Sequence, residues 1–145
     1  MFERILVICT GNICRSPLAA ALLTRGLVEK KGTASVQSAG VAALTGHAAE
    51  ETVSRIAAEH GISLADHCAT QISIDATRQA ELILAMEQRH IDAVLAFDPT
   101  ARGKTFLLGH WSSREIADPY RQEEAAYRHA HAQIAETTGE WLARL

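Results

Sequence analysis

The chain predicts a doubly wound α/β fold, with one four-stranded, mainly parallel sheet flanked by helices on both faces. Three observations carry this expectation. Short apolar runs alternate with segments of helical period along the whole length. The first run, Arg4-Ile5-Leu6-Val7-Ile8, is β-branched and apolar instead of alternating, as a parallel strand covered on both faces requires. No repeat, linker or low-complexity tract interrupts the 145 residues, so residues 1–145 read as one domain. A chain of that size buries about 70% of its unfolded surface and needs no covalent staple.

After the 4–8 strand, residues 17–31 predict a helix with Leu18, Leu22, Leu23 and Leu27 along one stripe. Ser16 reads as its N-cap and Pro17 as its first helical residue. Residues 34–38 form a short strand, and 48–60 a second helix ended by Gly61 in the C′ manner. The run 81–86 is a third strand and 88–97 a third helix, terminated at Asp98-Pro99. Residues 104–108 supply the fourth strand, followed by a loop carrying Trp111 and Asp118. The tail from 121 to 145 is a long helix, with Tyr127, Ile134 and Trp141 seven apart on its buried stripe.

Composition narrows the function. A net charge of −3 and a pI near 6.1 leave no global electrostatic footprint for nucleic acid or an acidic membrane surface. No apolar run approaches the length of a membrane span, and the first eight residues lack the basic start and apolar length of a signal peptide. A cytoplasmic protein with no direct membrane insertion is expected. The three cysteines are an odd number, which argues against a secreted disulfide framework. Cys68 is expected to be a core thiol. The histidines, His129 and His131 included, are scattered or wrongly spaced for zinc, so neither a metal nor another cofactor is expected.

The segment Cys9-Thr10-Gly11-Asn12-Ile13-Cys14-Arg15-Ser16-Pro17 lies directly after a strand and directly before a helix. Open α/β sheets place ligands at the carboxyl ends of their strands, and the first amides of the helix face the same way. Gly11 and Asn12 are residue types that take positive φ easily, which lets successive N–H groups point into one nest. Arg15 closes that nest with a planar fork suited to two phosphate oxygens. The amide dipoles, the helix terminus and Arg15 favour the thiolate form of a cysteine placed as Cys9 is. The Ser16 hydroxyl can donate to that sulfur. The predicted site is an oxyanion loop that carries its own nucleophile.

This segment resembles the signature loop of the low-molecular-weight protein tyrosine phosphatases. The likeness continues through Ser38-Ala39-Gly40, Asp66-His67-Cys68-Ala69, Ala85-Met86-Glu87 and Gly109-His110-Trp111 to Ile116-Ala117-Asp118-Pro119-Tyr120. The Met86-Glu87 and His110-Trp111 stretches look most like the bacterial branch associated with capsule and exopolysaccharide export. The resemblance implies Cys9 as nucleophile, Arg15 as phosphate clamp and Asp118 as general acid and base. It implies a phosphate loop of Thr10, Gly11, Asn12, Ile13, Cys14 and Ser16, held in shape by a network of Asn12, Ser38 and His67. It further implies that Cys14 can form a disulfide with an oxidised Cys9, protecting the nucleophile from irreversible oxidation. The substrate it implies is a phosphotyrosine protein, typically a membrane tyrosine autokinase.

Of the two Asp-Pro pairs, Asp98 follows an apolar helix and reads as its terminator. Asp118 lies in a long loop able to reach the carboxyl edge of the sheet, where a general acid would meet the leaving phenolate. Tyr120, Leu44 and Trp111 are candidates for the pocket wall, each equally compatible with a packing or surface position. Two related enzyme classes share the loop. Arsenate reductases of this fold relay oxidation through two further downstream cysteines, whereas this chain has only Cys68 after Cys14. Protein-arginine phosphatases typically carry Thr where this chain has Ile13, and the bulkier apolar side chain suits an aromatic phosphoester. A noncatalytic phosphotyrosine-binding module would be expected to lose Cys9 or Asp118. Thr10, Thr70 and Ala117 depart from residues frequent in the family (a bulkier apolar residue, Arg and Pro, respectively), which bears on substrate preference more than on reaction type.

Overall fold

The computed structural model describes residues 2–145. Its elements run β1 (Arg4–Cys9), α1 (Arg15–Glu29), β2 (Ser35–Gly40), α2 (Glu51–Glu59), α3 (Ile74–Gln79), β3 (Leu82–Ala85), α4 (Gln88–Phe97), β4 (Thr105–Leu107) and α5 (Glu124–Leu142). Short 3₁₀ turns cover Pro99–Ala101 and His110–Ser112. The four strands form one sheet in the order β2-β1-β3-β4, with every pairing parallel.

The apolar character of β1 follows from its central place. Ile5, Val7 and Cys9 point into a core shared with α1, α2 and α5, while Leu6 and Ile8 point into a second core with Ile91 and Val94 of α4. A strand buried on both faces has no position for a polar residue. Tyr127, Ile134 and Trp141 are all buried on α5, and the Trp141 indole donates to the Leu108 carbonyl at 2.8 Å. The chain leaves β1 toward β2 on one side and reaches β3 on the other, so the loop after Cys9 opens at the switch point of the sheet.

Several boundaries differ from the sequence expectation for local reasons. Helix α1 begins at Arg15, and Ser16 is not its cap: Cys14 occupies the N-cap position without a side-chain bond, because the Ser16 hydroxyl is engaged in the site described below. Helix α2 begins at Glu51 instead of residue 48. The Glu50 amide donates to the Ile13 carbonyl at 2.8 Å, holding the preceding residues against the loop, and the Glu50 carboxylate caps Thr52. Helix α5 starts at Glu124 rather than 121, since Arg121 has φ of 63°, which a right-handed helix cannot continue. Helix α3 is six residues long and mostly polar, capped by Ser73, and so left no apolar period to read. Cys68 is exposed rather than a core thiol, because the buried position beside it is taken by Ala69.

Candidate active site

The residues after β1 fold into a loop whose carbonyls turn outward. Cys9, Thr10, Gly11 and Ile13 each accept a bond from a backbone amide of residues 41–50: Val41, Ala42, Leu44 and Glu50 respectively, at 2.8–3.0 Å. None of the amides of residues 10–14 has a backbone acceptor among the described residues, which leaves them for a bound oxyanion. Asn12 takes the left-handed conformation, with φ of 60°. Gly11, also expected there, lies outside that region. One asparagine suffices to reverse the chain, and a Cβ at Gly11 would meet Ile13 and Leu44 only at ordinary contact distance, 3.7 and 3.8 Å. Gly40 matters more: a Cβ there would stand 2.4 Å from the Thr10 carbonyl, so β2 can press against the loop only without a side chain.

Asn12 is fully buried and every polar atom of its side chain is bonded. Its Nδ2 donates to Ser16 Oγ at 2.7 Å and to Ser38 Oγ at 3.0 Å, and its Oδ1 accepts from the Thr70 amide at 2.8 Å. His67 Nε2 meets the Asn12 carbonyl at 2.6 Å. Because Asn12 fills an acceptor site on Ser16, the serine's own proton is free for Cys9 Sγ, 2.9 Å away.

Arg15 is 2% exposed and its fork is divided. Nη1 donates to Glu87 Oε2 at 2.6 Å and to the Ile116 carbonyl at 2.7 Å. Nη2 lies 3.6 Å from Asp118 Oδ2, and the buried Nε has no partner among the described residues. A planar guanidinium anchored on one nitrogen presents the opposite pair, Nε and Nη2, to an incoming anion. Burial opposes the charge of Glu87, but hydrogen bonds from Arg89 and Arg15 outweigh it and hold that carboxyl at about 2. Glu87 is therefore an anion that keeps the fork aimed.

Asp118 arrives from the loop before α5. Its Oδ1 caps the Tyr120 amide at 3.0 Å, while its side chain remains 38% exposed. It closes a cavity of about 190 Å³ lined also by Cys9, Thr10, Gly11, Ile13, Arg15, Ala42, Leu44 and Tyr120. Cys14 also borders the cavity, and its thiol is free, as is that of Cys9. Burial, then the negative charges of Asp118 and Glu50, pushes the Cys14 thiol far up, which keeps it protonated.

The structure thus brings together Cys9, Thr10, Gly11, Asn12, Ile13, Cys14, Arg15, Ser16, Ser38, His67, Leu44, Tyr120 and Asp118. Trp111 is elsewhere. Its ring packs edge-on against Trp141, with Arg144 4.1 Å above it, so the side chain lies on α5 and does not line the cavity. Asp98 ends α4 and accepts from Thr77 Oγ1 at 2.7 Å, a closed structural role. Sequence reasoning assigned no role to Glu87, Gly40 or the Ile116 carbonyl. The signal for Glu87 was its place just past the carboxyl end of β3, one strand from the loop.

Residues 4–145 match the family described as low molecular weight phosphotyrosine protein phosphatase. The "Probable low molecular weight protein-tyrosine-phosphatase AmsI" of Erwinia amylovora is 45% identical over 143 residues, covering 98% of this chain and 96% of that protein. The structure of Vibrio vulnificus Wzb in complex with benzylphosphonate superposes with a TM-score of 0.94 at 38% identity, covering all of both chains. The YwlE arginine phosphatase of Geobacillus stearothermophilus superposes with a TM-score of 0.90 at 34% identity, covering 98% of this chain and 92% of that one. A cysteine, a buried arginine fork and an opposing aspartate around one cavity agree with these likenesses, and the chain belongs to the low molecular weight phosphotyrosine protein phosphatases, a family of enzymes.

Proposed function

We propose that this protein hydrolyses phosphotyrosine through a phosphocysteine intermediate. The observation that carries the reading is the divided Arg15 fork, with Nη1 anchored and Nε and Nη2 open, in the same cavity as Cys9 Sγ. Nε and Nη2 grip two phosphate oxygens, the free loop amides take the others, and phosphorus is held in line with the sulfur. Thiolate Cys9 attacks phosphorus while Asp118, in its acid form, donates a proton to the departing phenolic oxygen. Ser16 steadies the sulfur by donating to it. Asp118, now a carboxylate, then takes a proton from the water that hydrolyses the phosphocysteine. Arg15 and the amides supply the positive charge throughout, so the route needs no metal.

Ile13, Leu44 and Tyr120 give the cavity an apolar lining that suits an aromatic ring on the phosphate. The physiological substrate in this reading is a phosphotyrosine protein, a membrane tyrosine autokinase of exopolysaccharide or capsule production acted on from the cytoplasm. Its support is the bacterial-branch likeness of Met86-Glu87 and His110-Trp111. The test is hydrolysis of matched phosphotyrosine, phosphoserine and phosphoarginine peptides without added metal. Turnover of phosphotyrosine alone is expected; preference for phosphoarginine would move the chain to the arginine phosphatases instead.

A further inference from the structure

Thr10 lines the cavity, and its Oγ1 lies 2.8 Å from Nε2 of His90. His90 is 1% exposed, in the first turn of α4 behind the loop. Its Nδ1 faces the backbone N–H of Glu87 at 3.1 Å. A backbone N–H only donates, so Nδ1 accepts and the single proton of the neutral ring sits on Nε2. Burial, followed by the positive charges of Arg15 and Arg89, holds this imidazole down to about 4, which keeps it neutral at ordinary pH. Nε2–H therefore donates to Thr10 Oγ1. No other partner engages that hydroxyl among the described residues. The pairing fixes the threonine rotamer and leaves Oγ1 one further lone pair on a residue that lines the cavity.

The two chemical steps make different demands on that space. When the phosphocysteine forms, the apical oxygen belongs to the substrate and needs one proton, which Asp118 supplies. When it is hydrolysed, the apical oxygen is water, and an acceptor for its second proton fixes its orientation so that a lone pair aims at phosphorus. Asp118 is one acceptor. An apolar side chain at position 10 could not be the other.

We propose that Thr10 Oγ1, fixed by the positioning residue His90, is the second acceptor that orients the hydrolytic water. The proposal rests on the phosphocysteine route. Water gives one proton to the Asp118 carboxylate and hydrogen-bonds Thr10 through the other, which it keeps. Its oxygen bonds phosphorus, the P–S bond breaks with its electron pair returning to Cys9, and phosphate leaves. Thr10 transfers no proton.

Rapid quenching of excess enzyme with p-nitrophenyl phosphate, with the phosphoenzyme followed by intact mass, reads formation and decay of the intermediate separately. Thr10→Val keeps the shape and removes the acceptor, and Thr10→Ser restores the hydroxyl. Thr10→Val is expected to slow decay by about threefold to tenfold, the worth of one neutral hydrogen bond, and to raise the peak of phosphoenzyme. Any slowing of formation should be smaller than the slowing of decay, and Thr10→Ser should recover decay. Unchanged decay, or formation and decay slowed in proportion, would overturn the role of Thr10 while leaving the covalent route standing. Absence of any phosphoenzyme in the wild type would overturn the route itself and the proposal with it.

Discussion

Residues 9–16 and residues 113–122 meet across one cavity but are held in different ways. The first segment is almost wholly buried, and its carbonyls, its asparagine and its arginine are bonded to β2, the loops following β2 and α2, and the start of α4. The second is largely exposed apart from Ile116, whose carbonyl holds Arg15; it carries two left-handed residues, Ser113 and Arg121, and holds Asp118 through the Tyr120 amide, Gln122 and the 3.6 Å approach of Arg15 Nη2. Phosphate carries its charge from the moment it binds, so its donors work best when they need no rearrangement. In the proposed mechanism the segment with Asp118 must let substrate in and product out, and a loosely tied loop permits that. In the proposed mechanism, the rigid segment holds the phosphate and the nucleophile, and the looser one brings the acid.

The largest effect expected from this contrast comes from the nucleophile: Cys9→Ser should abolish turnover while keeping the loop and its affinity for inorganic phosphate, read by calorimetry. Asp118→Ala should lower kcat for phenyl phosphate by about a hundredfold to ten-thousandfold, and much less for p-nitrophenyl phosphate, whose leaving group needs little help. Its unfolding free energy should move by about 1 kcal/mol, the worth of the turn bond to the Tyr120 amide. An equal loss on both substrates would contradict its role as an acid. Asn12→Ala should do the reverse damage. It deletes bonds to Ser16, Ser38 and Thr70, at about 1 kcal/mol each, and strains a positive φ, so denaturant unfolding should lose about 3 kcal/mol or more. Asn12→Gly relieves the strain without restoring the bonds and separates the two contributions.

A smaller effect concerns pH. His90 is lowered from 6.5 to about 4 in the fold, so between those values the unfolded chain binds the proton more readily. Stability should rise with pH across that window and fall as the solution is acidified through it. Urea unfolding at several pH values checks this, and His90→Gln should flatten that part of the profile. The smallest effect belongs to the apolar lining of the cavity. Tyr120→Ala should raise KM for an aryl phosphate, whereas Trp111→Ala, which packs on α5, should leave KM within about twofold.

Much of this contrast was legible before the fold was known, because it is written in local patterns. The unbroken apolar run of β1, the leucine stripe of α1 and the spacing of Tyr127, Ile134 and Trp141 each record burial on a single element. Cys9 and Arg15 were readable since one strand end and one helix start bring them together. What stayed hidden was assembled across the chain. Glu87 reaches Arg15 from 72 residues away, and His90 reaches Thr10 from 80. Nothing in the local spacing of either pair announces a contact. Trp111 was misplaced for the complementary reason: an aromatic residue near the acid in sequence turned toward α5, where Trp141 offered a larger apolar partner.

The most direct test of the central claim, that the rigid loop carries the nucleophile, is acid quenching of the enzyme during turnover of a phosphotyrosine peptide, followed by peptide mass mapping. The account predicts a phosphoryl group on Cys9, absent in Cys9→Ser. Phosphate release with no modified cysteine, or a phosphoryl group mapped to another residue, would contradict it.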